Sequence, residues 1–163
     1  MQRIPVAGGE FALVDDRDYR WLVSHKWHAL AGPQTVYART SVWQPDEGKI
    51  RNFLMHRLIL ELTPNDPRVD HIDGNGLNNQ RSNLRLATRS QNGANTHSVR
   101  AQSGYKGVYE NRPDRFTARI TVERKQLNLG TFGTPELAAE AYNRAAIEHF
   151  GQFARLNVIR ERK

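Results

Sequence analysis

The stretch VDHIDGNGLNNQRSNLRLATRSQN, residues 69–92, decides the fold predicted for the N-terminal part of the chain. VDHI and NLRLAT read as two strands, and the segment rich in glycine and asparagine reads as their connection. TRSQN then starts a helix that projects Asn92 back towards the strands. A plain hairpin explains the glycines and some asparagines, but it leaves the Asp70-His71 pair at the strand end unexplained.

A calcium-binding loop does not explain DGNGLNN. Counting from Asp73, the sixth position requires glycine and is Asn78, and the twelfth requires a bidentate glutamate and is Leu84. The segment is therefore either a polar turn or a different kind of site.

Composition limits the classes of protein and of metal site. The chain has no cysteine, so disulfides and thiolate zinc sites are excluded and any metal must be bound by oxygen or imidazole. The 24 Lys and Arg against 17 Asp and Glu give a net charge of +7, which favours a polyanionic partner such as DNA or RNA. Since there is no apolar run of about 20 residues and no signal-peptide pattern, we expect a cytoplasmic protein that is neither secreted nor membrane-bound.

The distribution of charge and of small residues divides the chain. HSVRAQS, residues 97–103, predicts a linker between a domain over residues 1–96 and a second over residues 104–158, followed by a basic tail at 159–163. Residues 1–96 carry a net charge of +2 and residues 97–163 a net charge of +5. The second half is therefore the expected phosphate-binding half.

The N-terminal domain is predicted to mix short strands and helices. EFALVD and TVYARTSVW read as strands, and NFLMHRLILEL as a strand running into a short helix. Asp16 is the predicted N-cap of a helix whose Trp21 and Leu22 face inward, and Trp27 is expected in the same core. His56 lies among apolar residues, where a hydrogen-bonded core histidine is commoner than a catalyst, so it is a secondary site candidate.

The C-terminal domain is predicted to be a three-stranded antiparallel sheet packed on one helix. YKGVYE, FTARITV and KQLNLGTF alternate like strands, and TPELAAEAYNRAAIEHFG has Thr134 as N-cap, Pro135 at the first position and Gly151 past the end. The helix stripe predicted to cover the sheet comprises Leu137, Ala138, Ala141, Tyr142 and Ala145. The other sheet face is polar, and it is either a DNA major-groove reader or an ordinary solvated surface.

A first resemblance concerns this second domain. YKGVYENRPDRFTARI, LNLGTF and TPELAAEAYNRAAIEHFGQFARLN resemble the plant ethylene-response-factor type of DNA-binding domain, the APETALA-two family, over about 54 residues. The resemblance implies that the sheet lies in the DNA major groove. The residues it implies at the DNA are Lys106, Tyr109, Asn111, Arg119, Thr121, Gln126 and Asn128. Four of them stand where the plant domains carry arginine or tryptophan, so the target sequence does not transfer.

A second resemblance concerns the opening stretch. His71, Asn83 and Asn92 are separated by twelve and nine residues, and with MHRLIL upstream the region resembles the HNH nucleases, in the variant that ends in Asn and is common among phage and intron-encoded homing endonucleases. The similarity covers most of residues 5–96. It implies an α+β chain whose N-terminal ββα-metal unit has its core at about residues 56–96.

The HNH resemblance implies a role for each site residue. His71 is the expected general base, since an imidazole with a pKa near ~6.5 can take a proton from water at neutral pH. Asp70 and Asn92 are the expected ligands of one divalent cation, Mg²⁺ first and Mn²⁺ as the alternative. Neighbouring side chains of a regular strand point to opposite faces, so the strand must end, twist or bulge if Asp70 and His71 are to share a site.

Further residues are expected to support that site. Asn83 is either a positioner of the catalytic loop or a plain turn asparagine. Arg81, Arg85 and Arg89 either hold the phosphates of the scissile strand or are solvated.

The whole pattern predicts a site-specific, homing-type DNA endonuclease that acts as a monomer on double-stranded DNA and nicks one strand per binding event. The alternative is a non-catalytic DNA-binding regulator that retains a nuclease-like scaffold.

Overall fold

A computed structural model describes residues 1–96 and 103–159 of the chain. The predicted linker lies outside the described residues except for Ser103, and so does the predicted tail from residue 160 onward. The predicted α+β class is confirmed, since several small antiparallel sheets accompany a few helices. The chain divides into two compact units, Met1–Ala87 and Thr88–Lys163, which are described in turn.

The first unit contains three antiparallel sheets and two short helices. The N-terminal hairpin pairs β1 (Gln2–Val6) with β2 (Glu10–Val14) and precedes α1 (Asp16–Leu22). A three-stranded sheet follows, made of β3 (His28–Ala31), β4 (Val36–Gln44) and β5 (Lys49–Leu54), and β5 runs into α2 (Met55–Ile59). The last hairpin pairs β6 (Arg68–His71) with β7 (Leu84–Ala87). The strand-to-helix transition and the final hairpin were both predicted, and both are confirmed.

The core of the first unit joins the N-terminal hairpin to both helices. Its fully buried large side chains include Ile4, Val14, Leu22, Met55 and Ile59. Each such side chain contributes about 1.5–3 kcal/mol by leaving water. The final hairpin and its loop pack on this core, because Leu84 and Leu77 belong to the same cluster.

Two details of the first helix differ from the prediction. The N-cap is Asp15, and the carboxylate of Asp16 instead accepts a hydrogen bond from the N-terminal amine at 3.0 Å. Trp21 is 39 % exposed, because the face that meets the core is centred on Leu22. Trp27 is buried as predicted, and its indole Nε1 donates to the Leu22 carbonyl at 2.8 Å.

The second unit begins with α3 (Arg89–Ala94), which Thr88 caps. The Thr88 hydroxyl accepts from the Gln91 amide, and the Gln91 side chain accepts from the Thr88 amide, which completes a capping box. An antiparallel sheet in the order β10-β9-β8 follows, from β8 (Val108–Arg112), β9 (Arg115–Val122) and β10 (Lys125–Phe132). The helix α4 (Pro135–Phe150) has Thr134 as its N-cap and Gly151 just past its end, so its predicted boundaries are confirmed.

Helix α4 packs on the sheet through small side chains. Ala138, Ala141, Tyr142 and Ala145 are buried as predicted, whereas Leu137 is 48 % exposed and that prediction is wrong. The contact stripe runs along the alanines, which allow a close approach, and Leu137 lies beside it. Gly107 shows how close this packing is: its φ is +74°, and a Cβ there would lie 2.2 Å from the Tyr142 ring. None of the helices in the described part of the chain is long and apolar enough to cross a membrane.

Candidate active site and nucleic-acid face

The final hairpin of the first unit places Asp70 and His71 side by side. Asp70 lies opposite Arg85 and His71 opposite Leu84, in regular register without a bulge, and β6 ends at His71. The strand therefore ends where a shared site requires it to end. The regular pairing through both residues nevertheless counts against a shared site, because it directs the two side chains to opposite faces of the hairpin.

Asp70 forms a buried ion pair with the arginine across the hairpin. Arg85 Nε donates to Asp70 Oδ2 at 2.8 Å, and Arg85 Nη2 lies 2.6 Å from the same oxygen. The side chains of Asp70 and Arg85 are only 4 % and 15 % exposed. The guanidinium of Arg85 thus binds a carboxylate and is not solvated, and its contact with a DNA phosphate stays a prediction.

Arg81 is occupied in the same way by a carboxylate distant in the sequence. Its Nε and Nη2 each donate to one oxygen of Asp18 at 2.9 Å, and its backbone amide donates to Asp15. The Arg81 hydrogen bond holds the pKa of Asp18 below its usual range. This bidentate pair fixes the turn that leads into β7 onto α1. The phosphate contact of Arg81 stays a prediction.

His71 sits in a compact aromatic cluster with Tyr37 and His56. Its ring centre lies 5.0 Å from that of His56, at nearly right angles, and 5.8 Å from that of Tyr37. Burial lowers the pKa of His71, although the Asn79 hydrogen bond and nearby carboxylates oppose this shift. The imidazole is therefore neutral at physiological pH, which is the protonation state that a general base requires.

His56 is a buried neutral histidine that packs against the candidate base. Burial, with the nearby charges of His71 and Arg57, lowers its pKa to about 3. Its Nδ1 has no hydrogen-bond partner among the described residues. His56 is therefore a buried residue that packs against His71, and a catalytic role for it stays a secondary prediction.

Asn83 ties together the loop between β6 and β7. Its Oδ1 accepts from the Asp73 amide at 3.0 Å, and its Nδ2 donates to Asp73 Oδ1 at 2.9 Å and to the Asn78 carbonyl at 2.8 Å. Three hydrogen bonds from one buried side chain hold the loop more firmly than a turn asparagine that bonds only to itself or its neighbours. A catalytic role for Asn83 stays a prediction.

Asn79 was missed by the sequence reasoning. It is fully buried, and its Oδ1 lies 3.4 Å from His71 Nε2. The sequence contained one signal for it. Asn78 and Asn79 are consecutive, and a turn needs only one asparagine, so the other could have a different role. Nothing in the pattern, however, indicated which of the two faces inward.

The remaining predicted site residues lie in the second unit. Asn92 is half-buried and Arg89 exposed, both on α3. Among residues 1–96 and 103–159, no three His, Asp or Glu side chains form a group that could hold a metal ion. A cation at Asp70 therefore needs amide, water or phosphate oxygens to complete its coordination.

The polar sheet face of the second unit carries most of the predicted DNA contacts. Arg119 lies opposite Asn128, and Thr121 opposite Gln126. All four are exposed or half-exposed, as are Tyr109 and Asn111. The Arg119 guanidinium lies 5.7 Å from the centre of the Tyr109 ring, which steadies a long side chain that would otherwise be mobile.

Part of this face is organised internally. Asn111 Nδ2 donates to Thr117 Oγ1 at 2.6 Å, and Thr117 Oγ1 lies 3.0 Å from Thr131 Oγ1. Thr117 is buried although it belongs to the polar face. The three side chains link all three strands, so this part of the face is held in place before any partner binds.

Lys106 differs from the other predicted DNA contacts. Its ammonium donates to the Ala94 carbonyl, and burial together with the charge of Arg155 lowers its pKa to about 8. It lines a cavity of about 770 Å³ within the second unit, along with Arg89, Tyr109, Arg119 and Arg124. The DNA contact expected of Lys106 stays a prediction, and its charged end donates to Ala94 in this structure.

Comparison with known proteins finds a protein family and two viral relatives. A family model described as HNH endonuclease matches residues 53–94. An uncharacterized HNH endonuclease of Acanthamoeba polyphaga mimivirus is 34 % identical over 157 residues, covering 93 % of this chain and 76 % of that protein. Protein 3.8 of Escherichia phage T7 is 38 % identical over 89 residues, covering 53 % of this chain and 73 % of that protein. The matched family segment contains the whole of the final hairpin and its loop.

Proposed function

This chain belongs to the HNH endonuclease family, and from that premise we propose that it is a site-specific, homing-type endonuclease that nicks double-stranded DNA with His71 as general base. The observation that carries the proposal is the buried imidazole of His71 at the end of β6, inside the family segment. Its depressed pKa keeps the nitrogen lone pair available at neutral pH.

His71 performs the proton transfer in this proposal. Hydrolysis needs a water that loses a proton as its oxygen attacks the phosphorus, and the imidazole takes that proton. Tyr37 and His56 hold the ring from two sides, at centre-to-centre distances of 5.8 and 5.0 Å. Asn83 keeps the loop beneath it closed through its hydrogen bonds to Asp73 and Asn78. Such fixed geometry reduces the entropy lost on reaching the transition state.

Asp70 and Asn92 are the proposed ligands of a divalent metal ion. A carboxylate and an amide oxygen suit a hard cation, which makes Mg²⁺ the first choice and Mn²⁺ the second. Asp70 is here neutralised by Arg85, so its negative charge is available to a cation only if that pair loosens. When bound, the ion would stabilise the charge that develops on the phosphate and on the departing 3′ oxygen.

The second unit is proposed to bind DNA through its polar sheet face. Support comes from Arg119, Thr121, Gln126 and Asn128, which are presented to solvent on paired strands. Arginine and amide side chains recognise guanine and adenine edges in the major groove. Tyr109 and Asn111 extend this surface, and Arg89 adds an exposed charge at the start of α3. The likeness to the APETALA-two family remains the reason for proposing a sheet rather than a helix as the reader.

We also propose that the protein acts as a monomer in the cytoplasm of a host cell. In this proposal the second unit binds DNA and the first unit cleaves it. A second copy of the chain is therefore not needed for binding or for cleavage. A monomer on an asymmetric site cuts one strand per binding event. Size-exclusion chromatography with light scattering, with and without DNA, measures the stoichiometry directly.

Nicking of a supercoiled plasmid tests the enzyme proposal. Wild type with Mg²⁺ or Mn²⁺ should convert supercoiled plasmid to the open circle, and His71→Ala should be slower by at least about 100-fold. His149→Ala, at an exposed position near the end of α4, is the matched control and should equal wild type. If wild type and His71→Ala bind DNA yet are equally inactive with both metals, the chain is instead a DNA-binding regulator on a nuclease scaffold.

A further inference from the structure

We propose that the cavity of the second unit, a cleft lined by residues of α3, β9 and α4, binds one unpaired nucleotide, with its phosphate at the arginines and its base against the tyrosines. The inference deepens the proposed function, and it rests on that function insofar as a DNA strand supplies the nucleotide. It is carried by arginines without a protein partner and by a buried hydroxyl group, all of which line this cleft.

The size of the cleft fits a nucleotide better than a single phosphate group. Its volume is about 770 Å³, and sites for small organic ligands have volumes of about 300–1,000 Å³. A phosphate ion would leave most of this space unfilled. A base that is paired inside a duplex cannot enter such a cleft, whereas a base that has left the stack can. The size therefore favours a nucleotide whose base is unpaired.

The cleft has an excess of positive charge. Four cationic side chains line it, and Glu123 is the one carboxylate among its lining residues. Within the described part of the chain, the guanidinium groups of Arg89, Arg119 and Arg124 form neither an ion pair nor a hydrogen bond. The fourth cation, Lys106, donates a hydrogen bond within the unit. The three arginines are thus available to an anion, and guanidinium groups bind phosphate in a fixed, two-pronged geometry.

Tyr142 adds a buried hydroxyl group without a partner. The residue is only 4 % exposed, and its hydroxyl is not hydrogen-bonded to any residue that the structure describes. Burial raises the pKa of Tyr142 to about 12, so the hydroxyl keeps its proton and can donate it to an anion or a base. Buried polar groups usually have a partner. Because Tyr142 lines the cleft, a ligand there can supply the one that the protein lacks.

Tyr109 and Arg119 offer a flat surface on which a base can stack. Tyr109 is 45 % exposed, and the Arg119 guanidinium lies 5.7 Å from the centre of its ring. Unpaired bases stack on tyrosine rings and on guanidinium planes. The buried residues of the lining include Ile120 and Phe150, which are apolar. The cleft therefore provides for the base as well as for the phosphate.

The turn between β9 and β10 brings Arg124 to the cleft in an unfavourable backbone conformation. Glu123 and Arg124 have φ angles of +48° and +68°. Two-residue turns with both φ angles positive favour asparagine and glycine, which tolerate this conformation. Residues that keep such a conformation are concentrated at functional sites. The strain at Arg124 thus supports a function for its side chain, because glycine would form the turn more easily.

Amide NMR of the full chain tests the site without any cleavage. Proton–nitrogen correlation spectra are recorded in EDTA while thymidine 5′-monophosphate or inorganic phosphate is added. The amides of Gly93 and Gly107 report on the cleft, and the exposed Gly8 and Gly48 are references outside it. The nucleotide should shift Gly93 and Gly107 alone, with an affinity at least about 10-fold higher than that of phosphate. No shift with the nucleotide, or equal affinity for phosphate, would overturn the proposal.

A thymidine hexanucleotide distinguishes a strand from a free nucleotide as the source. If the site takes a nucleotide of a DNA strand, the hexanucleotide should bind at least about 10-fold more tightly than the monophosphate, because neighbouring phosphates add contacts. If the ligand is a free nucleotide, the two should bind equally. Both results support the site and differ only in what fills it.

Two variants with a matched control test the residues. Arg124→Gly removes the charge and the strain together, so it should keep or raise the urea midpoint while weakening nucleotide binding by about 5- to 20-fold. Asp114→Gly is the control, since Asp114 has a φ of +58° in the other turn of the sheet and does not line the cleft. It should bind the nucleotide like wild type.

Tyr142→Phe removes the hydroxyl alone. Because no hydrogen bond within the described residues is lost, the urea midpoint should not fall, and nucleotide binding should weaken by about 3- to 10-fold. If Arg124→Gly and Tyr142→Phe both bind the nucleotide as tightly as Asp114→Gly does, the proposal is wrong. Should one of the two not fold, the other variant and the wild-type spectra still decide.

Failure of this inference differs from failure of the proposed enzyme. A chain that does not nick plasmid but shows the expected shifts at Gly93 and Gly107 loses the nuclease function and keeps the nucleotide site. A chain that nicks plasmid but shows no shift with any nucleotide keeps the nuclease function and loses the site.

Discussion

The loop of the β6–β7 hairpin and the polar face of the β8–β10 sheet use the same residue types in opposite ways. In the hairpin, Asn79, Asn83 and Asp70 are buried and hydrogen-bonded to the protein itself. On the sheet, Gln126 and Asn128 are exposed to water. Burying polar groups is unfavourable unless each one is satisfied, so the hairpin is a rigid network, whereas the sheet can exchange water for a partner.

The arginines show the same contrast. Arg81 and Arg85 bind carboxylates within the first unit, so their charge is neutralised inside the protein. Arg119 packs on Tyr109 instead and keeps its charge for an outside partner. The difference indicates that substitutions in the hairpin should alter stability and chemistry, whereas substitutions on the sheet should alter binding alone.

The largest effect is expected where the buried ion pair is broken from one side. Asp70→Leu leaves the Arg85 guanidinium buried beside an apolar group and should lower the free energy of unfolding by about 3 kcal/mol. Asp70→Leu combined with Arg85→Met removes both charges and should recover most of that loss, as measured by urea denaturation. The double variant should nevertheless not nick DNA, because the proposed metal ligand is gone. Recovery of nicking would refute the role proposed for Asp70.

A smaller loss of stability is expected at the glycine that precedes Asn79 by three residues. A Cβ at Gly76 would lie 2.5 Å from the Val36 carbonyl and 2.7 Å from the Tyr37 ring. Gly76→Ala should therefore cost about 1–3 kcal/mol and reduce nicking, since the loop must shift. Gly93→Ala is the matched control, because nothing lies within 4 Å of the added atom. Equal urea midpoints for the two variants would show that the loop is not held as rigidly as described.

The stability of the first unit should fall in mild acid. His56 has a pKa of about 3 in the folded chain, because it is buried, against 6.5 in an ordinary setting. Below pH 6.5 the unfolded chain therefore binds a proton that the folded chain does not, and stability is lost as pH falls towards 3. The slope should approach about 1.4 kcal/mol per pH unit for this one group. Burial lowers the pKa of His71 as well, which acts in the same direction.

Urea titrations at pH 7, 6 and 5 measure that slope. This range lies above the pKa values of about 3.9 and 4.3 that Asp and Glu have in unfolded chains. The slope therefore reports mainly on His56 and His71, whose pKa values burial lowers. His56→Phe keeps a ring in the cluster but cannot titrate, and its stability should depend less on pH than that of wild type. An unchanged slope would mean that His56 is not buried in its neutral form.

The smallest effect on stability is expected on the sheet. Arg119→Ala should change the free energy of unfolding by less than about 0.5 kcal/mol and weaken DNA binding by about 5- to 50-fold. Arg144→Ala, at an exposed position on α4, is the control and should leave affinity unchanged. Fluorescence anisotropy with labelled DNA at several salt concentrations measures both. If the two variants bind DNA with equal affinity, the sheet face is not the surface that recognises DNA.

The sequence predicted those features that depend on local signals. Thr134, Pro135 and Gly151 mark the ends of α4, and the observed helix begins and ends at them. The hairpin and the helix after it were predicted from strand patterns and turn residues within one short stretch. These signals are local because caps, turns and alternation act between residues a few positions apart.

Features that depend on distant partners were not predicted. Arg81 binds Asp18, 63 positions away, and Arg85 binds Asp70 across a 15-residue separation. Asn79 could not be distinguished from Asn78 without knowing that Leu13 anchors the loop. Trp21 and Leu137 were wrongly predicted to be buried. Periodicity shows which side of a helix is apolar, but it does not show how much of that side the rest of the protein covers.

The division of labour between the two regions is tested most directly by measuring binding and cleavage on the same DNA for two variants. Single-turnover nicking and anisotropy should show that His71→Ala binds like wild type but cleaves at least about 100-fold more slowly. Arg119→Ala should bind about 5- to 50-fold more weakly but cleave at the wild-type rate once saturated. If His71→Ala cleaves at the wild-type rate, or if Arg119→Ala loses cleavage without losing affinity, the account given for the hairpin and the sheet is wrong.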